Sequence, residues 1–115
     1  MKKVLIFNPN LSAAKRMLEH YGLECHYCCL GAECGGFFER LLQRLIDENG
    51  TEVVLVNERF WKKQYGEDIA KRITDFINNE SKLELWVADD CSDFAMMKFE
   101  SSGKKNTAKI VCDFN

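Results

Sequence analysis

The chain has 115 residues, of which 46% are hydrophobic, 30% charged and 11% aromatic, with a single proline. That length and balance suit one globular domain, residues 1–115, and exclude a mainly disordered or Pro-rich linker chain. A formal net charge of −2 excludes a chain built chiefly to grip nucleic acid or an anionic membrane surface.

Val4-Leu5-Ile6-Phe7 is a short apolar run ended by Asn8-Pro9-Asn10, which predicts a buried strand and a turn. The run is too short for a secretory leader, and no stretch approaches the ~20 apolar residues of a membrane span. A cytoplasmic location is therefore expected. Ser12 is placed to cap a first helix whose core face carries Leu11, Ala14, Leu18 and Tyr21, ending at Gly22. Glu24 to Leu30 is a second, less regular strand closed by Gly31.

Phe37, Phe38, Leu41, Leu42, Leu45 and Ile46 then form the clearest helical stripe, with Glu39, Arg40, Gln43, Arg44, Asp47 and Glu48 opposite and Asn49-Gly50 as the stop. Leu41 and Leu45 are expected against the sheet. Thr51 to Val56 is rich in β-branched residues and predicts a third strand. Arg59 to Tyr65 reads as a short helical piece cut off by Gly66, followed by a third stripe of Ile69, Ile73, Phe76 and Ile77. Leu83 to Val87 gives a fourth strand running into Asp89-Asp90.

The order β-α-β-α-β-α-β predicts an α/β fold, a single domain with a mostly parallel sheet flanked by helices. For the tail, residues 94–99 and Lys109 to Phe114 read as a C-terminal β-hairpin, with the last strand a partly exposed edge. The alternative is a short fourth helix and a fifth parallel strand, a flavodoxin-like arrangement.

In an open parallel sheet, ligands bind beyond the carboxyl ends of the strands. That rim comprises Asn8 and Asn10, then Glu33, Cys34, Gly35 and Gly36, then Asn57 and Glu58, and finally Asp89, Asp90, Cys91 and Asp93. It is polar and acidic, although polar loops and helix caps explain many such residues by themselves.

Six cysteines invite a metal or disulfide reading. Strand alternation, however, sends Cys25 and Cys29 to one face and His26 and Cys28 to the other, so zinc is not expected. A reducing cytosol argues against disulfides. Cys34 precedes a helix, where backbone N–H groups favour a thiolate, and is the candidate for thiol chemistry. Cys34 to Arg40 also matches a bare C-x5-R spacing, but Arg40 belongs to the helix and cannot close a phosphate loop. Asp89, Asp90 and Asp93 with Glu58 could hold a divalent cation, though no carboxylate follows the first strand. Arg59-Phe60-Trp61-Lys62-Lys63-Gln64-Tyr65 packs three rings among cations, a pattern suited to a protein contact.

The sequence therefore points to a non-catalytic protein-binding domain without a cofactor. Its contact residues would be Glu58, Phe60, Trp61, Tyr65, Asp89, Asp90 and Asp93. One concrete form is a toxin-neutralising immunity or inhibitor protein, whose carboxylates meet a basic toxin or enzyme. The alternative is a small enzyme or ligand-binding domain on the same rim, metal-dependent through Asp89 and Asp90 or thiol-based through Cys34.

Overall fold

Alternating side-chain direction along buried strands organises the molecule. The computed structural model describes residues 2–7, 11–30, 32–57, 61–79, 82–89, 91, 93–100 and 107–112; the side chains of Ala32, Trp61, Lys62, Gln64, Tyr65 and Ile69 are outside that description. The strands are β1 (Lys3–Ile6), β2 (Glu24–Tyr27), β3 (Val53–Asn57), β4 (Glu84–Ala88), β5 (Met97–Glu100) and β6 (Thr107–Cys112). The helices are α1 (Ser12–His20), α2 (Phe38–Asn49) and α3 (Trp61–Asn78), with 3-10 turns at Ala32–Phe37 and Phe94–Met96.

The six strands form one sheet in the order β2-β1-β3-β4-β6-β5. All neighbours run parallel except β5 and β6, which form an antiparallel hairpin with Phe99 opposite Ile110. The predicted α/β class and the C-terminal hairpin both hold. The expected edge position of the last strand does not. β6 lies between β4 and β5, with Trp86 opposite Ala108, so the outer strand is β5. The hairpin and the fifth parallel strand thus coexist, since β6 pairs parallel on one side and antiparallel on the other.

Every residue of β3 is buried, as expected of a central parallel strand covered on both faces. Val53 and Leu55 join Val4 and Ile6 of β1 in a core beneath α1, which contributes Ala14, Met17 and Leu18. Val54 and Val56 join Leu5 on the opposite face, under Phe38, Leu42 and Ile46 of α2 and Ala70, Ile73 and Ile77 of α3.

Three local expectations are corrected. Ser12 is the first helical residue rather than the cap; Leu11 holds the cap position, and no side chain caps the helix there. Tyr21 lies past the end of α1 and is 66% exposed, because the chain is already turning toward β2. The six apolar residues of the predicted stripe, five of them in α2 and Phe37 at its cap position, do not share one face. Phe38, Leu42 and Ile46 are buried, whereas Leu41 and Leu45 are only half-buried and Phe37 is exposed. Positions one residue apart differ by about 100° around a helix, so both rows cannot meet the same sheet.

The break expected at Gly66 is present: φ +83° and ψ 157° interrupt α3 in a conformation that side-chain-bearing residues rarely adopt. Among the described residues, no helix is long and apolar enough to cross a membrane.

Leu42 rather than Leu45 therefore anchors α2. Leu42→Ala is expected to destabilise by about 2–5 kcal/mol, and Leu45→Ala by about 1 kcal/mol, since the latter already meets water. Equal shifts of the two urea midpoints would contradict this division of the helix.

Candidate functional site

Connections at the carboxyl end of the sheet build the site, beginning with the turn that follows β2. Gly35 carries φ +53° and ψ −128°, which lets the chain reverse between two 3-10 segments before entering α2. Arg72 of α3 fixes this reversal. Its Nη2 donates to the Gly35 carbonyl at 2.9 Å, and its Nε donates to Glu39 Oε1 at 2.7 Å. The guanidinium also lies 5.7 Å from the centre of the Phe38 ring. One partly buried cation thereby ties α3, the first turn of α2 and the preceding loop together.

The consequence is a groove of about 560 Å³ lined by Glu33, Cys34, Phe37, Arg40, Leu41 and Arg44. Phe37 is 63% exposed at its mouth. Arg44 is paired with Glu48 at 2.9 Å, while Arg40 has no ion pair among the described residues. An apolar floor with guanidinium groups along one side can bind an apolar side chain next to a carboxylate. It does not form a phosphate cradle. Arg40 sits in α2 as the sequence implied, one turn past Cys34's loop, with Glu39 beside it and already held by Arg72.

The second part of the rim follows β4. Asp89 is half-buried, and its backbone N–H donates to the Ile110 carbonyl at 2.9 Å, extending the β4–β6 ladder. Asp93 is exposed and accepts from the Ala95 N–H at 3.0 Å, so it caps the 3-10 turn at Phe94–Met96. That is a structural role for one predicted contact residue. Phe94 packs under Arg16 of α1, 5.1 Å from ring centre to guanidinium carbon. Asn57, at the end of β3, is wholly buried.

Of the remaining predicted contact residues, Glu58, Phe60 and Asp90 lie outside the described residues, as do Asn8 and Asn10. Trp61 and Tyr65 fall in the first part of α3, with their side chains outside the description. The described structure thus places Asp89 and Asp93 after β4 and Glu33 and Cys34 after β2. It adds Phe37, Arg40 and Arg72, which sequence reasoning did not assign to the site. The available signal was the Gly35-Gly36 pair before Phe37, which allows the chain to turn so that the ring faces away from the core.

The thiols divide by face. Cys25 is buried in the core beneath α1, and Cys28 packs against the opposite core, as alternation predicted. Among the described residues, no three His, Cys, Asp or Glu side chains converge on a point suited to a metal. One expectation about the cysteines is overturned. Cys91 and Cys112 form a disulfide, with 5.7 Å between their Cα atoms. The sequence reading missed it because it placed the last strand at an edge. With β6 beside β4, the residue ending β6 meets the residue leaving β4.

No family model, no curated protein and no solved structure matches this chain.

Burial pushes the Cys25 and Cys28 thiols up to about 11 from 9.0, with Glu19 adding to the effect at Cys25 and Cys29 and Cys34 at Cys28. A proton is therefore held more tightly in the folded state. The stability this provides is present below pH 9 and is lost as pH rises from 9 toward 11. At pH 8 the thiolate population of Cys25 and Cys28 is about a hundredfold below that of an ordinary thiol. Iodoacetamide should thus label exposed Cys29 first and Cys25 and Cys28 last, as read by peptide mass spectrometry. Early labelling of Cys28 in the folded protein would contradict its placement.

Proposed function

We propose that the chain is a small cytoplasmic, non-catalytic protein-binding domain whose contact surface lies at the carboxyl end of its sheet. The observation that carries this reading is Phe37, a large ring left 63% exposed at the mouth of a groove that also contains Leu41 and two arginines. Aromatic and arginine side chains around an apolar pocket are the residue types that dominate protein–protein binding energy. Arg72 supports the same reading, since it holds the groove's entrance in place before any partner arrives and so lowers the ordering cost of association.

The acidic residues of the rim, Asp89 and Asp93 with Asp90 between them in sequence and Glu58 directly after β3, and the ring cluster of Phe60, Trp61 and Tyr65 would extend the contact. This supports the narrower proposal of an immunity or inhibitor-type protein whose carboxylates face a basic toxin or enzyme. A second reading is favoured by one observation: Cys34 lines the same groove, half-buried between Glu33 and Phe37, where a thiol-based site would place it.

A single experiment separates the two readings. A partner is captured from the native source by cross-linking, and its affinity is measured for four proteins. Phe37→Ala is expected to weaken binding about thirtyfold, near 2 kcal/mol, the size of an interface hot spot. Tyr21→Ala, an equally exposed ring beyond the end of α1, and Cys34→Ser should each stay within about twofold of the unmodified protein, as surface changes away from a contact do. Equal affinities of the Phe37→Ala and unmodified proteins would sink the groove as the contact. Loss of binding in Cys34→Ser would favour thiol chemistry.

A further inference from the structure

The β5–β6 hairpin is joined to the exit of β4 in two different ways. One is the parallel ladder, in which Leu85 to Ala88 face Thr107 to Ile110 and which Asp89 extends through its bond to Ile110. The other is the covalent bond between Cys91, three residues beyond β4, and Cys112, the last residue of β6.

We propose that the Cys91–Cys112 disulfide is a thiol-exchange clamp, opened by a low-molecular-weight thiol such as glutathione. Opening loosens the segment from Cys91 through β5 while β1 to β4 remain folded. Both cysteines are half-buried, at the margin of the core, whereas Cys25 is enclosed within it. Among the described residues 93–100 of the segment between them, only Met97 is buried. Phe94–Met96 is a single 3-10 turn, capped by Asp93 and covered by Arg16 and His20 of α1. β5 is a four-residue outer strand that pairs only with β6, and its residues 98–100 are exposed. Met97 and the edge-on contact of Phe99 with Trp86, 5.2 Å between centroids, are its apolar anchors. Elements with few buried contacts open locally at low free energy, and a cross-link across such an element removes much of that freedom.

The exchange is balanced without any further reactant. A glutathione thiolate attacks one sulfur of the pair; the S–S bond between Cys91 and Cys112 breaks, and a mixed disulfide forms. A second glutathione thiolate displaces the remaining cysteine. The two protein sulfurs gain two electrons and two protons and become thiols, while two glutathione molecules lose them and become glutathione disulfide. The reverse reaction closes the clamp. The clamp opens and closes without any protein partner.

The test uses the full chain equilibrated in glutathione mixtures from fully oxidised to almost wholly reduced, followed by alkylation, peptide mass spectrometry and hydrogen exchange. In the oxidised mixture, Cys91 and Cys112 should be recovered after denaturation as one cross-linked peptide pair, while the other four cysteines carry either the alkyl label or a single glutathione. In the reduced mixture all six should react. On reduction, amide exchange over residues 93–100 should rise about tenfold or more, and over residues 3–6 and 53–57 by less than about twofold, the pattern of local opening. Cys91→Ser without reductant should reproduce the reduced pattern. Six reactive cysteines in the oxidised mixture would overturn the proposal, as would a bond that survives the reduced mixture. Unchanged exchange over 93–100, or a uniform rise across the whole sheet, would overturn it equally.

Discussion

Double-sided burial of β3 is the constraint on which the rest of the molecule depends. Five successive residues, Val53 to Asn57, have no access to solvent worth the name, so both faces of the sheet must be covered at its centre. A parallel strand achieves this only if its crossovers deposit helices on both sides. α1 covers one face and α2 and α3 the other, and Val54 and Leu55, adjacent in sequence, end in different cores. The site inherits its position from the same constraint. Parallel strands all end on the same edge of the sheet, so the residues leaving β2 and β4 lie at that edge whatever their chemistry.

How much of this is legible in the sequence depends on whether a signal is local. Strand and helix order follows from hydrophobic period, and Gly66 announces the break in α3 by itself. The position of β6 is not local. Ile110 and Cys112 alternate with Val111 in a way that suits an edge, and only the pairing of β4 with β6 shows that the strand lies inside the sheet. The disulfide was hidden behind the same unknown, because no property of Cys91 or Cys112 alone indicates that they are neighbours. At α2 the sequence was ambiguous rather than silent. Two rows of apolar residues one position apart are consistent with a helix buried on a wide face, and the outer row becomes visible only when Phe38, Leu42 and Ile46 are found to fill the core.

That outer row is the link between packing and the functional reading. If α2 had only its inner row, Arg40 and Arg44 would flank a polar surface and no groove would exist. Leu41 supplies apolar lining and Phe37 the exposed ring at the mouth, while Arg72 is hydrogen-bonded to the loop before them. Three of its partners are fixed by the fold: the carbonyl of Gly35, which has positive φ, a carboxylate in the first turn of α2, and the face of a core ring. A guanidinium satisfies three such partners at once through its planar fork, which a lysine could not do. The negative charge of Glu39 near the start of α2 is favoured by the helix dipole as well, so the tie agrees with the local electrostatics of the helix.

At the opposite side of the rim, the carboxyl end of β4 faces a different problem. The chain must return to place β6 beside β4, yet it uses a short hairpin rather than a covering helix to do so. β6 can be aligned with β4 by backbone pairing alone, because Leu85 to Ala88 and Thr107 to Ile110 form a regular parallel ladder. β5 has no second neighbour and meets the body of the molecule chiefly through Met97, and through Phe99 against Trp86. A covalent bond placed near the far end of β6 constrains the segment where ladder pairing has already run out. The rim is therefore held by two unlike devices. After β2 it is a charged side chain reaching across from α3, which water and salt can weaken but not sever. After β4 it is a sulfur–sulfur bond, insensitive to salt and open only to thiols. The two sides of one surface are consequently held by interactions of different kinds, one an ion pair that salt screens and the other a covalent bond that it does not.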